Sequence, residues 1–205
     1  MLTSLQATDF PLYSLLFAVP VILILLLAFS LFTAGAKSLL NGLLGISGII
    51  YISIPFALLT MLGNPAFTEK NYRPWIILGY FILMWVYDVF AYLSGSLLGK
   101  HPLYKSISPK KSREGFIGGS LFTIAAAYPV FLLSGEFNWM HWGVIALIIV
   151  TFGTLGDLAE SLLKRQAEVK DSGHIMPGHG GVLDRFDGVL LSAPAVLCYI
   201  ILFAE

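Results

Sequence analysis

Long apolar stretches run through most of this sequence and limit the folds open to it. A helix needs roughly 20 apolar residues to cross a hydrocarbon layer about 30 Å thick. Six stretches meet this requirement, at about residues 11–33, 43–62, 74–98, 115–134, 141–163 and 186–204. The sequence therefore predicts an all-α, polytopic membrane helix bundle with about six transmembrane helices.

The composition agrees with this class and excludes others. Hydrophobic residues make up 57% of the 205 residues and charged residues 12%, which is far from the balance of a soluble domain. The formal net charge is zero and no continuous basic domain exists, so nucleic acid is not expected as a partner. Cys198 is the single cysteine, which excludes an internal disulfide. We predict one membrane domain, with two spans in residues 1–73 and four in residues 74–205.

The distribution of cations between the loops predicts the orientation. With six spans, ten of the twelve Lys and Arg residues fall on one side and only Lys70 and Arg73 on the other. Positive charge accumulates on the cytoplasmic side of membrane proteins. We therefore expect the loops 99–114 and 164–185 in the cytoplasm and both termini on the non-cytoplasmic side.

A dense polar run between the last two spans, from Ser161 to Asp187, carries the strongest chemical signal. Its cations can donate hydrogen bonds to phosphate oxygens, its carboxylates can bind the accompanying hard cation, and its glycines allow close backbone approach. The charged residues are Lys164, Arg165, Lys170, Asp171, Asp184, Arg185 and Asp187. This pattern predicts a nucleotide site.

Two acidic residues lie inside predicted spans, Asp88 and Asp157. A carboxylate at such depth must line a wet cavity, meet a cation or be protonated, although a structural hydrogen bond between helices is the alternative. Helical spacing places Asp157 on one face with Glu160, Ser161 and Lys164. A divalent ion between Asp157 and Asp184 would join this face to the polar run, and the oxygen ligands favour Mg²⁺ over zinc.

The loop 99–114 concentrates cations, which could simply bind anionic lipid headgroups. The arrangement SPKKSREG instead favours a site for a phosphorylated headgroup, with Ser108, Lys110, Lys111, Ser112 and Glu114 before a helix start. In the second loop, His174 and His179 lack any partner pattern for zinc. His179, within GHGG, is better placed to donate to a phosphate.

At these residues the sequence resembles the phosphatidate cytidylyltransferases, also called CDP-diacylglycerol synthases. Their signature is matched by Ser161, Lys164, Arg165, Lys170, Asp171, Pro177, His179, Gly180, Gly181, Asp184, Arg185 and Asp187. Further similar elements are SPKKSREG and the group Asp88, Ala91, Tyr92 and Gly95, so the resemblance covers roughly residues 74 to 188. Family members usually carry further N-terminal spans, about three more than this chain.

The resemblance implies a multi-pass enzyme of the cell membrane, with its site facing the cytoplasm, that converts CTP and phosphatidate to CDP-diacylglycerol and pyrophosphate with Mg²⁺. Residues 74–205 would form the catalytic region, surrounded by membrane lipids, and a homodimer is compatible with the sequence. The implied catalytic residues are Asp157, Asp184, Lys164, Lys170 and Asp171, and the implied metal ligands are Asp157, Asp184 and Asp187. The implied substrate-binding residues are Asp88, Ser108, Lys110, Lys111, Glu114, Ser161, Arg165, His179, Gly180, Gly181 and Arg185.

Three other functions stay open from the sequence. A CTP-dependent polyprenol kinase would release CDP rather than pyrophosphate. A CDP-alcohol phosphotransferase is suggested by the DxxDG of Asp184, Asp187 and Gly188, but Leu191 and Ser192 replace the Ala-Arg expected next. A cation or lipid transporter built around Asp88 and Asp157 would leave the His-Gly-Gly loop unexplained.

Overall fold

The computed structural model describes residues 36–63, 72–169, 172–173 and 181–204. The chain divides into two compact units, Met1–Ser53 and Ile54–Glu205. Within the first unit, the described residues 36–53 are helical. The sequence-based division into residues 1–73 with two spans and residues 74–205 with four spans stays a prediction.

Five helices account for most of the described residues. They are α1 (Ala36–Met61), α2 (Pro74–Leu98), α3 (Arg113–Ser134), α4 (Trp139–Gln166) and α5 (Leu183–Tyr199), which continues as a π-helical turn, Ile200–Ala204. All five are long and apolar enough to cross a membrane. The expectation of a membrane helix bundle is confirmed at this level. The first predicted span, residues 11–33, lies outside the described residues, so the number six and the side of the termini remain predictions.

Local sequence signals set several helix ends. Pro74 occupies the first turn of α2, where its missing N–H costs no helical hydrogen bond. Ser112 caps α3, because its hydroxyl accepts a hydrogen bond from the N–H of Gly115 at 3.1 Å. Asn138 caps α4 in the same way through the N–H of His141, at 3.0 Å. Gly135 ends α3 in the left-handed conformation, with φ 64°.

The core of the second unit lies between α2, α4 and α5, with α3 packed against α2 and α4. Trp142 and Tyr80 are its largest fully buried side chains. The Tyr80 hydroxyl meets the Ser192 hydroxyl at 2.6 Å, so its polar end is satisfied inside the bundle. Trp142 donates to the carbonyl of Glu136 at 2.8 Å. The Tyr80–Ser192 contact joins α2 to α5, and the Trp142 bond joins α4 to the loop that precedes it.

Close helix approaches at glycines determine where the polar side chains meet. A Cβ on Gly115 would lie 2.7 Å from the carbonyl oxygen of Ala91, so α3 lies directly on α2 there. A Cβ on Gly156 would overlap the carbonyl oxygen of Asp187 and lie 3.3 Å from the Cα of Gly188, so α4 lies directly on the start of α5. Small residues allow such contacts between membrane helices.

The loop between α2 and α3 contains a feature that the all-α expectation did not include. Strands β1 (Pro102–Tyr104) and β2 (Ser108–Ser112) pair antiparallel, with Pro102 opposite Ser112 and Tyr104 opposite Ser108. Because α2 and α3 are in close contact, their connection must turn back on itself. Pairing the two halves of this connection satisfies their backbone groups. We call this segment, residues 100–112, the hairpin.

The contact at Gly156 predicts a specific sensitivity to one methyl group. Gly156→Ala should lower the apparent melting midpoint in detergent by about 3 to 10 °C, because overpacking a tight contact costs stability. Gly143→Ala is the matched control, since it lies in the same helix and its added methyl would meet nothing within 4 Å. Equal midpoints for the two variants would contradict the close packing of α4 on α5.

Candidate active site

Three carboxylates from two helices converge next to the Gly156 contact. Asp157 and Glu160 lie one turn apart on α4, and Asp187 lies in the second turn of α5. One carboxylate oxygen from each lies within 4.8 Å of the others, a spacing at which they could share one metal ion. We call these three residues the acidic cluster.

The charge balance of the acidic cluster calls for a cation. Glu160 is buried, with 1% of its side chain exposed, and its Oε1 has no hydrogen-bond donor among the described residues. Lys164 lies 2.9 Å from Glu160 Oε2 but also lies 2.6 Å from Asp184 Oδ1. Neighbouring buried carboxylates raise each other's free energy unless a proton or a cation compensates them. The donor set, all carboxylate oxygens, fits a hard divalent ion.

Asp184 lies one turn before Asp187, and both of its oxygens face other donors. Oδ1 accepts from Lys164, while Oδ2 accepts from the N–H of Ser172 at 2.9 Å, its hydroxyl at 2.8 Å and the N–H of Gly181 at 2.7 Å. A Cβ on Gly181 would overlap the Ser172 hydroxyl, so glycine permits this close approach. Asp184 therefore connects Lys164 to Ser172 and Gly181 in the loop 164–185, which we call the polar loop. Its assignment as a metal ligand stays a prediction.

The hairpin contributes a cation to the acidic cluster. Lys111 forms an ion pair with Asp157 Oδ2. Burial lowers the pKa of the Lys111 ammonium from its ordinary value, while the nearby carboxylates of Asp187 and Asp88 oppose that shift. The hydroxyl of Ser161 also donates to Asp157 Oδ1, at 3.4 Å. Asp157 is thus the point where α4 and the hairpin meet.

Two adjoining cavities open at Asp157. The smaller, about 30 Å³, has room for an ion or a water molecule and includes Arg185 and Asp187 in its lining. The larger, about 500 Å³, lies within the size range of small-ligand pockets and lies between α2, the hairpin and α3. The two cavities share Tyr87, Asp88, Lys111 and Asp157. A ligand in the larger cavity would therefore adjoin the acidic cluster.

The larger cavity combines polar and apolar walls. Ser108, Lys110, Lys111 and Ser112 offer hydroxyl and ammonium donors, whereas Tyr92, Leu103 and Phe116 are apolar or aromatic. Such a lining suits a molecule with a phosphate group attached to an apolar body.

The remaining predicted residues are placed as follows. Glu114 lies at the start of α3, and its carboxylate bonds Lys100 and His101. Arg165 lies in the last turn of α4. Four predicted residues lie outside the described part of the chain: Lys170, Asp171, His179 and Gly180.

Glu160 is the residue whose role the sequence analysis missed. Helical spacing placed it on the face of Asp157, but no function was assigned to it. Its position one turn from an intramembrane Asp was the available signal, because two acids three residues apart on one helix face lie close together. Tyr87, which joins α2 to α4 through the hydroxyl of Thr154 at 2.6 Å, gave no sequence signal.

Comparison with known proteins identifies the family to which this sequence is related. Residues 2–203 match the model of the cytidylyltransferase family. A Staphylococcus saprophyticus protein named phosphatidate cytidylyltransferase is 37% identical over 172 residues, which cover 83% of this chain and 63% of the relative. Proteins of the same name from Staphylococcus aureus strain COL and Staphylococcus haemolyticus are 48% and 47% identical over 120 residues, 58% of this chain and 46% of each relative.

The chain belongs to the cytidylyltransferase family. The resemblance found in the sequence, to the phosphatidate cytidylyltransferases, is confirmed by these relatives. The chain spans about half to just under two thirds of the length of the relatives it matches.

The geometry of the acidic cluster predicts which carboxylates bind a divalent ion. Asp157→Asn, Glu160→Gln and Asp187→Asn should each weaken Mn²⁺ affinity by about tenfold or more, since the loss of even an outer partner of a metal site has an effect of that size. Asp184→Asn should weaken it less, because its oxygens bond Lys164 and the loop. Electron paramagnetic resonance of Mn²⁺ in detergent measures all four variants.

Glu136→Gln is the control for that series, because Glu136 lies at the opposite end of α3 and pairs with Arg73 at 3.8 Å. The prediction would be contradicted if Asp184→Asn lost as much Mn²⁺ affinity as Asp157→Asn while Glu160→Gln lost none. That result would instead support Asp157 and Asp184, the pair of ligands expected from the sequence.

Proposed function

We propose that this chain catalyses the transfer of a cytidylyl group from CTP to phosphatidate, forming CDP-diacylglycerol and pyrophosphate in phospholipid biosynthesis. The observation that carries this proposal is that Asp157 of the acidic cluster also lines a cavity of about 500 Å³ with cationic and apolar walls. The family and the names of the relatives support the same activity.

Asp157, Glu160 and Asp187 would hold Mg²⁺. The sequence also named Asp184 as a ligand, and that assignment stays a prediction. When bound, the ion supplies charge neutralisation for the phosphate oxygens of the nucleotide. The fit is supported by the three converging oxygens and by the buried Glu160 oxygen, which lacks a donor within the part of the chain that the structure describes.

The reaction needs little covalent work from the protein. A phosphate oxygen of the lipid forms a bond to the α-phosphorus of CTP, and the bond from that phosphorus to the pyrophosphate oxygen breaks. Charge accumulates on the departing pyrophosphate, so fixed cations near it lower the barrier. Lys164 and Arg185 lie beside the acidic cluster and would serve there, together with Lys170, His179 and the glycines of the polar loop.

The lipid phosphate would be held by the hairpin. Ser108, Lys110 and Lys111 line the larger cavity and can donate to its oxygens, while Leu103 and Phe116 would contact the apolar part of the lipid. Lys111 also pairs with Asp157, so it would hold the attacking phosphate close to the acidic cluster.

The two substrates differ in phase, since CTP is soluble in water and phosphatidate keeps its acyl chains in the bilayer. A site at the membrane surface meets both requirements. Ten of the twelve Lys and Arg residues fall on the predicted cytoplasmic side, with the hairpin and the polar loop. We therefore assign the site to the cytoplasmic face of the cell membrane.

The direct test is an assay of the purified protein in detergent with CTP, Mg²⁺ and phosphatidate, in which lipid product and pyrophosphate are both quantified. The two products should appear in equal amounts. Asp157→Asn should reduce turnover by a factor of about a hundred or more, because it removes a proposed ligand of the Mg²⁺ that would neutralise the phosphate charge. Glu136→Gln should retain normal turnover.

A polyprenol supplied in place of phosphatidate tests the alternative kinase activity. Release of CDP with phosphorylated polyprenol, and no pyrophosphate, would contradict the proposed reaction. Ion or lipid flux in liposomes without CTP consumption would favour a transporter.

A further inference from the structure

Glu114 joins the two ends of the hairpin. Its Oε2 accepts from the backbone N–H of Lys100 at 3.1 Å and from that of His101 at 3.3 Å, and its Oε1 lies 2.6 Å from His101 Nδ1. Glu114 itself belongs to the first turn of α3, immediately after the hairpin. One carboxylate therefore fastens the start of the hairpin to the helix that follows its end.

Other contacts at the same junction agree with a fixed base. The N–H of Arg113 donates to the carbonyl of His101 at 2.9 Å. A Cβ on Gly99 would lie 2.9 Å from the hydroxyl of Ser112, so the end of α2 lies directly against the cap of α3. The base of the hairpin is thus held by several short contacts, of which the Glu114 carboxylate makes three.

Glu114 lies outside the linings of both cavities described above, although its neighbours Ser112 and Gly115 line the larger one. Its hydrogen bonds are directed to the backbone and side chain of residues 100–101. The expectation from the sequence that Glu114 binds substrate stays a prediction.

We propose that Glu114 is a positioning residue, which fastens the base of the hairpin so that Lys110 and Lys111 face the larger cavity and Asp157. The role in catalysis rests on the proposed function above. The hairpin has strands of three and five residues, and a two-stranded hairpin of this size is at best marginally stable alone. Lys111, which is partly buried and paired with Asp157, needs such an anchor to stay in place.

The first test measures hairpin order and needs no enzymatic activity. In hydrogen exchange of the detergent-solubilised protein, Glu114→Ala should speed exchange of residues 100–112 by about tenfold, because hydrogen bonds to a charged acceptor are among the stronger ones. Glu114→Gln keeps a carbonyl acceptor and should show a smaller increase. Glu136→Gln should show none. An unchanged exchange rate in Glu114→Ala would overturn the proposal.

The second test separates positioning from contact with substrate. Glu114→Ala should raise the KM for phosphatidate by about tenfold and change kcat by less than about threefold, because the hairpin residues hold the lipid phosphate. His101→Ala keeps the backbone donors and should have the smaller effect. Loss of kcat that is equal in Glu114→Ala and Glu114→Gln, with normal hairpin exchange, would identify direct contact and overturn the proposal.

A covalent link at the hairpin base provides the decisive rescue. His101 and Arg113 flank the paired residues Pro102 and Ser112, and the N–H of Arg113 donates to the carbonyl of His101 at 2.9 Å, so we select these two positions for paired Cys substitutions. In the Glu114→Ala background, His101→Cys with Arg113→Cys should recover KM and slow exchange when oxidised, and lose both when reduced. Each single Cys variant in the same Glu114→Ala background is a control, because it cannot form the disulfide between positions 101 and 113. The native Cys198 is present in all of these variants.

The outcomes separate the two proposals. If the unmodified chain forms no CDP-diacylglycerol, the proposed function fails, whereas the exchange measurements still decide whether Glu114 fastens the hairpin. The unmodified chain could instead be active while the oxidised rescue variant, with its disulfide formed, keeps the raised KM. In that case the positioning role of Glu114 fails and the proposed function stands.

Discussion

Mutual repulsion among Asp157, Glu160 and Asp187 is the constraint on which the rest of the site depends. Their oxygens lie within 4.8 Å of one another, and Glu160 is buried. In a low dielectric such repulsion is strong, so the arrangement needs compensation by protons or by nearby cations. Lys111 and Lys164 supply part of that charge from the hairpin and from α4. A divalent ion and the phosphates it accompanies would complete the balance.

The apolar body of the protein makes this costly arrangement attainable. Gly156 lets α4 touch the start of α5, and Gly115 lets α3 touch α2, so polar groups from four elements meet at one end of the second unit. Tyr80 with Ser192 and Tyr87 with Thr154 add hydrogen bonds between the helices. Tight, directional contacts of this kind hold the carboxylates at a fixed spacing, which is the preorganisation that nucleotidyl transfer needs.

The sequence predicted much of the fold, because apolar length alone identifies membrane helices: α2 begins at Pro74 and ends at Leu98, as expected. Helical spacing also placed Asp157 and Glu160 on one face. It chose Asp184 as the partner of Asp157 at the expected ion, with Asp187 as a further ligand, although the two residues lie one turn apart on α5. That choice depends on how α4 and α5 cross at Gly156, which is a tertiary contact. The hairpin was missed because its pairing follows from the closeness of α2 and α3, not from alternation in its own residues.

Anomalous scattering from crystals grown with Mn²⁺ would show which carboxylates share an ion. We expect one strong peak within about 2.5 Å of carboxylate oxygens from Asp157, Glu160 and Asp187, a distance set by oxygen ligation of hard divalent cations. A peak next to Asp184 but not next to Glu160 would contradict this expectation. So would the absence of a peak at the acidic cluster in saturating Mn²⁺, with Lys111 and Lys164 as its only cations.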